Sequence, residues 1–411
     1  MKNKAGWTLR YTLLNIAYFA AFCTVHACAA VYLLAHGFTN TQIGILLALA
    51  NVISAFIQPV IAGIIDKPGP LTNRRFIIIS VITIMTGSVI LLFIGNNKPV
   101  IFVIYALIYM IQFAYQPVMT ALCFEYQKAG CDIYYGLARG LGSAGFAVTS
   151  AFIGGAVERE GVNLLPVVTI ITMVISLILI LTFILPHAKE ESAGASEDAV
   201  HVSDDEAASS FSEPAQAHNN IADFARTYPA FMMFMLATIC FFFAHNMIND
   251  FMIQIIRNLG GAETQLGYAN FLQAILELPV MAMIGVILKK ISDRRLLIIS
   301  GIAFFIKILI LVFARGMGMF YLSQCFQLFA YAVFIPAGAY YVSHTMDELD
   351  QVKGQAYITS AITLGGVFSN LISGVILDKL GINTMLITGS VVCFIGVIIG
   401  WTAIHRLPHK A

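Results

Sequence analysis

Twelve apolar runs, six on each side of one polar stretch, constrain this chain more than any other feature. The first six lie at Tyr11–Ala35, Ile43–Ile65, Phe76–Ile94, Val100–Phe124, Gly136–Val157 and Leu164–Leu185. The second six lie at Phe231–Ile256, Leu266–Leu288, Leu296–Phe313, Met319–Val342, Ala356–Leu377 and Met385–Ile404. A helix of roughly 20 residues, rising 1.5 Å per residue, crosses the hydrocarbon core of a bilayer. Backbone polar groups in lipid must be satisfied within the span, which selects helices for runs of this length. The first run is too long for a signal-peptide core of about 7–15 residues and reads as a first span. The expected fold class is an all-α membrane protein with about twelve transmembrane helices in two six-helix halves.

Composition supports this reading. The chain is 59% hydrophobic and 11% charged, against about 25% charged in soluble domains. A net charge of +1 gives no reason to expect a nucleic-acid partner. The seven cysteines are odd in number and scattered through apolar runs, which argues against a disulfide framework or a zinc site. No metal and no cofactor are expected. Neither a phosphate-binding loop nor a nucleophile–base arrangement stands out, so ATP-driven work and enzymatic chemistry are both disfavoured.

The chain divides into residues 1–186, 187–226 and 227–411. The stretch from His187 to Arg226 is polar, acidic and rich in Ala and Ser, and reads as a flexible cytoplasmic linker. A regulatory or partner-binding segment is the alternative.

The halves echo each other. The sequence from Tyr135 to Gly155 is apolar, rich in small residues, and carries Arg139 near its start. The stretch Lys353–Leu377 repeats it, with Gly136 and Ala138 answered by Gly354 and Ala356, and Gly155 by Gly374. Thr41-Gln42-Ile43-Gly44 is answered by Thr264-Gln265-Leu266-Gly267, Arg74-Arg75 by Arg294-Arg295, and Pro117 by Pro336. Small residues such as Gly140, Gly142, Gly145 and Ser150 let a neighbouring helix approach closely. Basic residues orient the chain. Five of the lysines and arginines outside the spans (Lys98, Arg159, Arg257, Arg315 and Lys379) fall on one side, and sixteen fall on the side of the termini. That imbalance predicts both termini in the cytoplasm.

Charges inside the spans are few, so each carries weight. Arg139 keeps its proton and needs a partner or a wet cavity. Glu277 sits near the middle of its run, where a carboxyl favours taking up a proton, and it is the candidate proton carrier; a structural ion pair is the alternative. Asp250 shares a helix face with Asn246, and His245 pairs with Asn249 at the same spacing. This patch binds substrate, passes protons to Glu277, or forms an outer gate. Lys307 is expected to neutralise Glu277 or Asp250. Gln112, Tyr115, Gln116 and Tyr331 offer amides and aromatic faces for a polar ring. His26 reads as a satisfied hydrogen-bonding histidine, with a proton relay as the alternative. Glu125 reads as an interfacial charge within possible reach of Arg139.

A six-plus-six chain with a long central loop resembles the major facilitator superfamily over nearly its full length. The resemblance implies two halves that bind substrate between them near the midplane. After the second run, Gly63, Asp66, Lys67, Arg74 and Arg75 resemble that family's signature in lengthened form, which implies a cytoplasmic charge lock around Asp66. The plain alternative is a solvated turn with basic anchors. Phe56-Ile57-Gln58-Pro59, Asp66-Lys67 and Gly136-Leu137-Ala138-Arg139, followed by Gly142, Gly145 and Phe146, resemble the lactose permease-like oligosaccharide:proton symporters. That implies sugar hydroxyls on Arg139 and a ring stacked on Phe146, where the family pattern has Trp. The family's titratable positions in later helices fall here on Thr120, Asn246, Asn249, Tyr331 and Phe334, so lactose specificity does not carry over. Nucleoside and aromatic-acid permeases share much of the scaffold.

The expectation is a proton-coupled symporter that imports a small polar solute, a sugar or oligosaccharide first, by alternating access. It would act in the plasma membrane as a monomer whose partners are the solute, the proton and lipid. The alternatives are a nucleoside or aromatic-acid permease, a proton-antiport exporter, and a non-transporting membrane sensor.

Overall fold

The computed structural model describes residues 4–65, 69–184 and 221–405. The helix α1 runs Lys4–Phe22, continues through a π-helical turn at Cys23–Ala27, and resumes as Ala29–Ala35 after a 48° bend. It is followed by α2 (Asn40–Ile65), α3 (Asn73–Phe93), α4 (Lys98–Lys128), α5 (Tyr135–Glu160) and α6 (Leu164–Thr182). In the second half, α7 (Pro229–Asp250) continues as Met252–Asn258, and α8 (Glu263–Leu288) and α9 (Asp293–Val312) follow. The helix α10 is broken into Met317–Cys325, a 3-10 turn at Phe326–Leu328, and Tyr331–Thr345. The last helical stretch, Glu348–His405, turns at Gly381, whose φ of 80° favours glycine, so α11 is 348–380 and α12 is 382–405. By length and composition nine of the described helices can cross a membrane, ten with the bent α1. Dividing the last stretch at Gly381 and adding the 26-residue α8 gives twelve.

Two expectations about boundaries change. The segment expected to be linker up to Arg226 includes a helix, Ile221–Thr227. Its Phe224 is fully buried, with ring centres 4.8 Å from Tyr357 and 4.9 Å from Tyr228. An apolar aromatic inside an acidic stretch is enough to pin that segment to the second half. The earlier part of the stretch lies outside the described residues. The tenth run, expected as one helix, is interrupted at Ala330 (φ −82°, ψ −91°), six residues before Pro336, which sits inside a regular turn.

The repeat is visible in local chemistry. The paired arginines lie in the first turns of α3 and α9. Thr72 and Ser292 are the matching N-caps, accepting from the backbone N–H of Arg75 and Arg295. Tight helix packing within the first half uses the predicted glycines, since a Cβ at Gly142 would meet Phe19 at 2.8 Å and one at Gly145 would meet Ile16 at 3.0 Å.

The halves meet at the membrane side away from the chain termini, called here the distal side. There α5 packs on α8, and α2 packs on α11. A Cβ at Gly44 would collide with the Asn370 carbonyl, one at Gly374 with that of Asn40, one at Gly154 with that of Glu263, and one at Gly267 with that of Ser150. Gly154, one residue before the Gly155 expected from the sequence, is therefore the counterpart of Gly374. One turn beyond each of these two glycines stands a carboxylate. Asp378 accepts from the backbone N–H groups of Asn40 (3.1 Å) and Thr41 (2.7 Å), and Glu158 accepts from the N–H (3.2 Å) and hydroxyl of Thr264. Each half thus caps the first turn of a helix in the other half.

Among the described residues, the hydrogen bonds that cross between halves all lie on this side. Toward the terminal side, Gly63, Gly136, Gly140 and Gly285 face open space. The cleft between the halves opens there.

Candidate functional site

Arg139 stands just inside α5, on the cleft. Its guanidinium lies over the Phe19 ring of α1, 4.2 Å from the ring centre, and donates to Ser143 Oγ at 2.9 Å. Among the described residues no carboxylate forms a salt bridge with it. The stacked ring holds the planar cation without neutralising it. Phe146, two turns along α5, is half-buried beside Phe22 with ring centres 6.4 Å apart.

The opposite wall is a carboxamide network. Gln327 Nε2 donates to Glu277 at 2.8 Å, and Lys307 donates to Gln327 Oε1 at 2.7 Å. Lys307 is fully buried and Glu277 is half-buried. Lys307 therefore does not pair directly with Glu277 or Asp250; an amide stands between cation and carboxylate. Gln273, one turn before Glu277 on α8, donates to Gln324 at 2.6 Å and to Asn249 at 3.3 Å. Asn249 bonds His245 at 2.9 Å, and the His245 ring stacks on Tyr331 with centres 5.1 Å apart. Glu277 lies within electrostatic reach of Arg139 across the cleft, and Tyr331 within reach of both.

Other predicted site residues lie elsewhere. Tyr115 and Gln112 are fully buried in the first half, Tyr115 edge-on to Tyr18 at 4.9 Å, so neither lines the cleft in this conformation. The bundle interior claims that face of α4. Gln116, one turn from Gln112, is half-buried. Asn246 turns toward the α11 backbone at Gly366 and donates to the Phe242 carbonyl. Asp250 is half-buried at the distal end of α7 and within electrostatic reach of Tyr109. His26 sits among the aromatic rings of the first half. It stacks on Phe22 at 4.0 Å, close to Tyr109 and Phe113, with the Gln112 side chain beside its ring. Glu125 accepts from Asn73 rather than reaching Arg139. In the lengthened signature, Asp66 and Lys67 lie outside the described residues. Arg74 donates to the Ile180 and Leu181 carbonyls at the end of α6, and Arg75 to the Pro70 carbonyl. Sequence reasoning missed Gln273, Gln324 and Gln327. The available signal was an amide one turn before Glu277 and two amides three residues apart in an apolar run.

A family model described as the MFS_1 like family matches residues 8–387. The chain belongs to that family. The MFS_1-like chain is a multi-pass transporter of major facilitator type. No curated relative matches it in sequence. Among solved structures it is similar to a mutant of the nucleoside transporter NupG, with 14% identity, a TM-score of 0.77, and coverage of 97% of this chain and 100% of that one. It is similar to an inward-facing, unoccupied bacterial homolog of the human lysosomal transporter Spinster, with 12% identity, a TM-score of 0.68 and 98% coverage of each chain. A POT-family peptide transporter matches at 11% identity and a TM-score of 0.68, over 98% of this chain and 97% of that one. At such identities these likenesses establish the shared fold. The matched proteins are transporters rather than enzymes.

Proposed function

We propose that this MFS_1-like chain is a proton-coupled symporter that imports a small polar solute across the plasma membrane by alternating access. The observation that carries the reading is the placement of Glu277, tied through Gln327 to a fully buried Lys307, opposite Arg139. A half-buried carboxyl at midplane exchanges a proton with the cleft, and its charge state alters how strongly Arg139 is held across the gap. The excess of basic residues on the side of the termini supports a cytoplasmic location for them, and in that orientation the cleft described above is the inward-facing state, closed on the outside.

The solute class we favour is a nucleoside, with a sugar or oligosaccharide second. Aromatic faces at Phe146 and Tyr331 suit a planar ring. The paired donors and acceptors of Asn249 and Gln273 suit both heterocycle edges and hydroxyls. The solved likeness to a nucleoside transporter supports this choice at the level of scaffold. Resemblance to the lactose permease-like symporters at Gly136–Arg139 keeps the sugar reading second.

The test is pH recording outside weakly buffered, de-energised cells that express the protein. Nucleosides, sugars and aromatic acids are added one at a time. Alkalinisation with one class, lost in Glu277→Gln and in Arg139→Ala, is the expected result. Uptake with unchanged proton flux in Glu277→Gln overturns the proton assignment.

A further inference from the structure

Helices α8 and α10 are joined by a two-rung amide ladder at the point where α10 tightens from an α-helix into a 3-10 turn. Gln273 and Glu277, one turn apart on α8, meet Gln324 and Gln327, three residues apart on α10. Gln327 lies in the 3-10 turn Phe326–Leu328, and both glutamines of α10 are buried. The rungs differ in kind. The first is neutral, amide to amide. The second is bounded by charge, because Lys307 donates to the oxygen of Gln327 while its nitrogen donates to Glu277. A carboxamide has one donor end and one acceptor end. Between an ammonium and a carboxylate only one orientation satisfies both partners.

Two consequences follow from chemistry alone. The fully buried ammonium has Gln327 Oε1 as its one hydrogen-bond acceptor among the described residues, and an unpartnered cation in that place is costly. The donated N–H favours the ionised form of Glu277, since a hydrogen bond to the charged form stabilises it. Protonating Glu277 weakens the second rung and leaves the first unchanged, so the effect falls on the broken segment of α10.

We infer that Gln327 is the positioning residue for the proton step: it sets the pH at which Glu277 loads and links that event to the break in α10. This rests on the proton reading of Glu277 given above. The charged and titratable groups facing the pair are Arg139 from α5, Lys307 from α9, Tyr331 from α10, and His245 from α7 on the Lys307 side.

The test needs no substrate. Purified full-length protein in lipid is titrated from pH 4 to 10 by difference infrared spectroscopy, following the protonated-carboxyl C=O band that is absent in Glu277→Gln. In Gln327→Met, which keeps side-chain length and loses both hydrogen bonds, the band midpoint is expected to move at least about one pH unit toward alkaline. In Gln327→Glu, which restores a partner to Lys307 but sets a second acid beside Glu277, it also moves toward alkaline. Gln324→Met breaks only the neutral rung and leaves the midpoint in place, which separates this role from mere packing of α10. Wild-type midpoints in both Gln327 variants overturn the inference alone. A wild-type protein with no such band across the range overturns the proton reading of Glu277 and this inference together.

Discussion

The carboxylate of Asp378 in α11 accepts a 2.7 Å hydrogen bond from the backbone N–H of Thr41 in α2, so one half of the molecule caps a helix of the other. Glu158 repeats the device on Thr264. Helix N-termini carry unsatisfied N–H groups and partial positive charge, and a carboxylate there is stabilising. These bonds exist only while the distal side is closed. Removing each, as Asp378→Ala or Glu158→Ala, is expected to cost the closed state about 1 kcal/mol, the usual worth of a cap, or roughly fivefold in population. Distances between spin labels on the distal ends of α2 and α11 should lengthen in the double variant. Unchanged distance distributions would show that the caps do not set this equilibrium.

The four distal glycines make a stronger version of the same argument. At Gly44, Gly374, Gly154 and Gly267 a side chain would collide with a backbone carbonyl of the opposite half, which no rotamer change relieves. Gly44→Leu with Gly267→Leu should hold the distal side open. Labelling of a cysteine placed in the cleft by a membrane-impermeant maleimide added outside should then rise at least tenfold, while solute accumulation is lost. Gly285→Ala, which faces open space, is the control and should label as wild type does.

Arg139 is held by a ring face and one hydroxyl rather than by an acid. Arg139→Lys preserves the charge but loses the planar stack and the forked donors. Affinity for the transported solute should fall about tenfold or more, read by equilibrium binding to purified protein. Binding at wild-type strength would mean that charge alone is used at this position.

Phe224 tests where the second half begins. Its ring is fully buried against Tyr228 and Tyr357. Phe224→Ala should destabilise the protein by about 3 kcal/mol, as loss of a buried aromatic does, seen as earlier unfolding in a detergent denaturation series. An unchanged curve would mean that Ile221–Thr227 is peripheral to the half it touches.

Much of this molecule is legible in its sequence. Run length and hydropathy determined twelve spans, because the bilayer thickness fixes helix length and lipid leaves the backbone no other partner. Scarcity of charge singled out Arg139, Glu277 and Lys307, because ions in spans are costly enough to need a reason. The doubled Thr-Gln-x-Gly motif marked the two helix starts that now prove to be the sites of the cross-half caps. Tertiary structure alone decided which side chains share a space. Gln112 and Tyr115 were expected to face a solute, yet α4 turns them into the bundle interior. Lys307 was expected to neutralise Glu277 or Asp250, and Gln327 stands between it and Glu277. Asp378 and Glu158 acquire their partners only where the halves meet, on Asn40, Thr41 and Thr264. Sequence records composition and period along one helix; which faces meet depends on how twelve helices rotate against each other, and that is set by close packing among residues far apart in the chain.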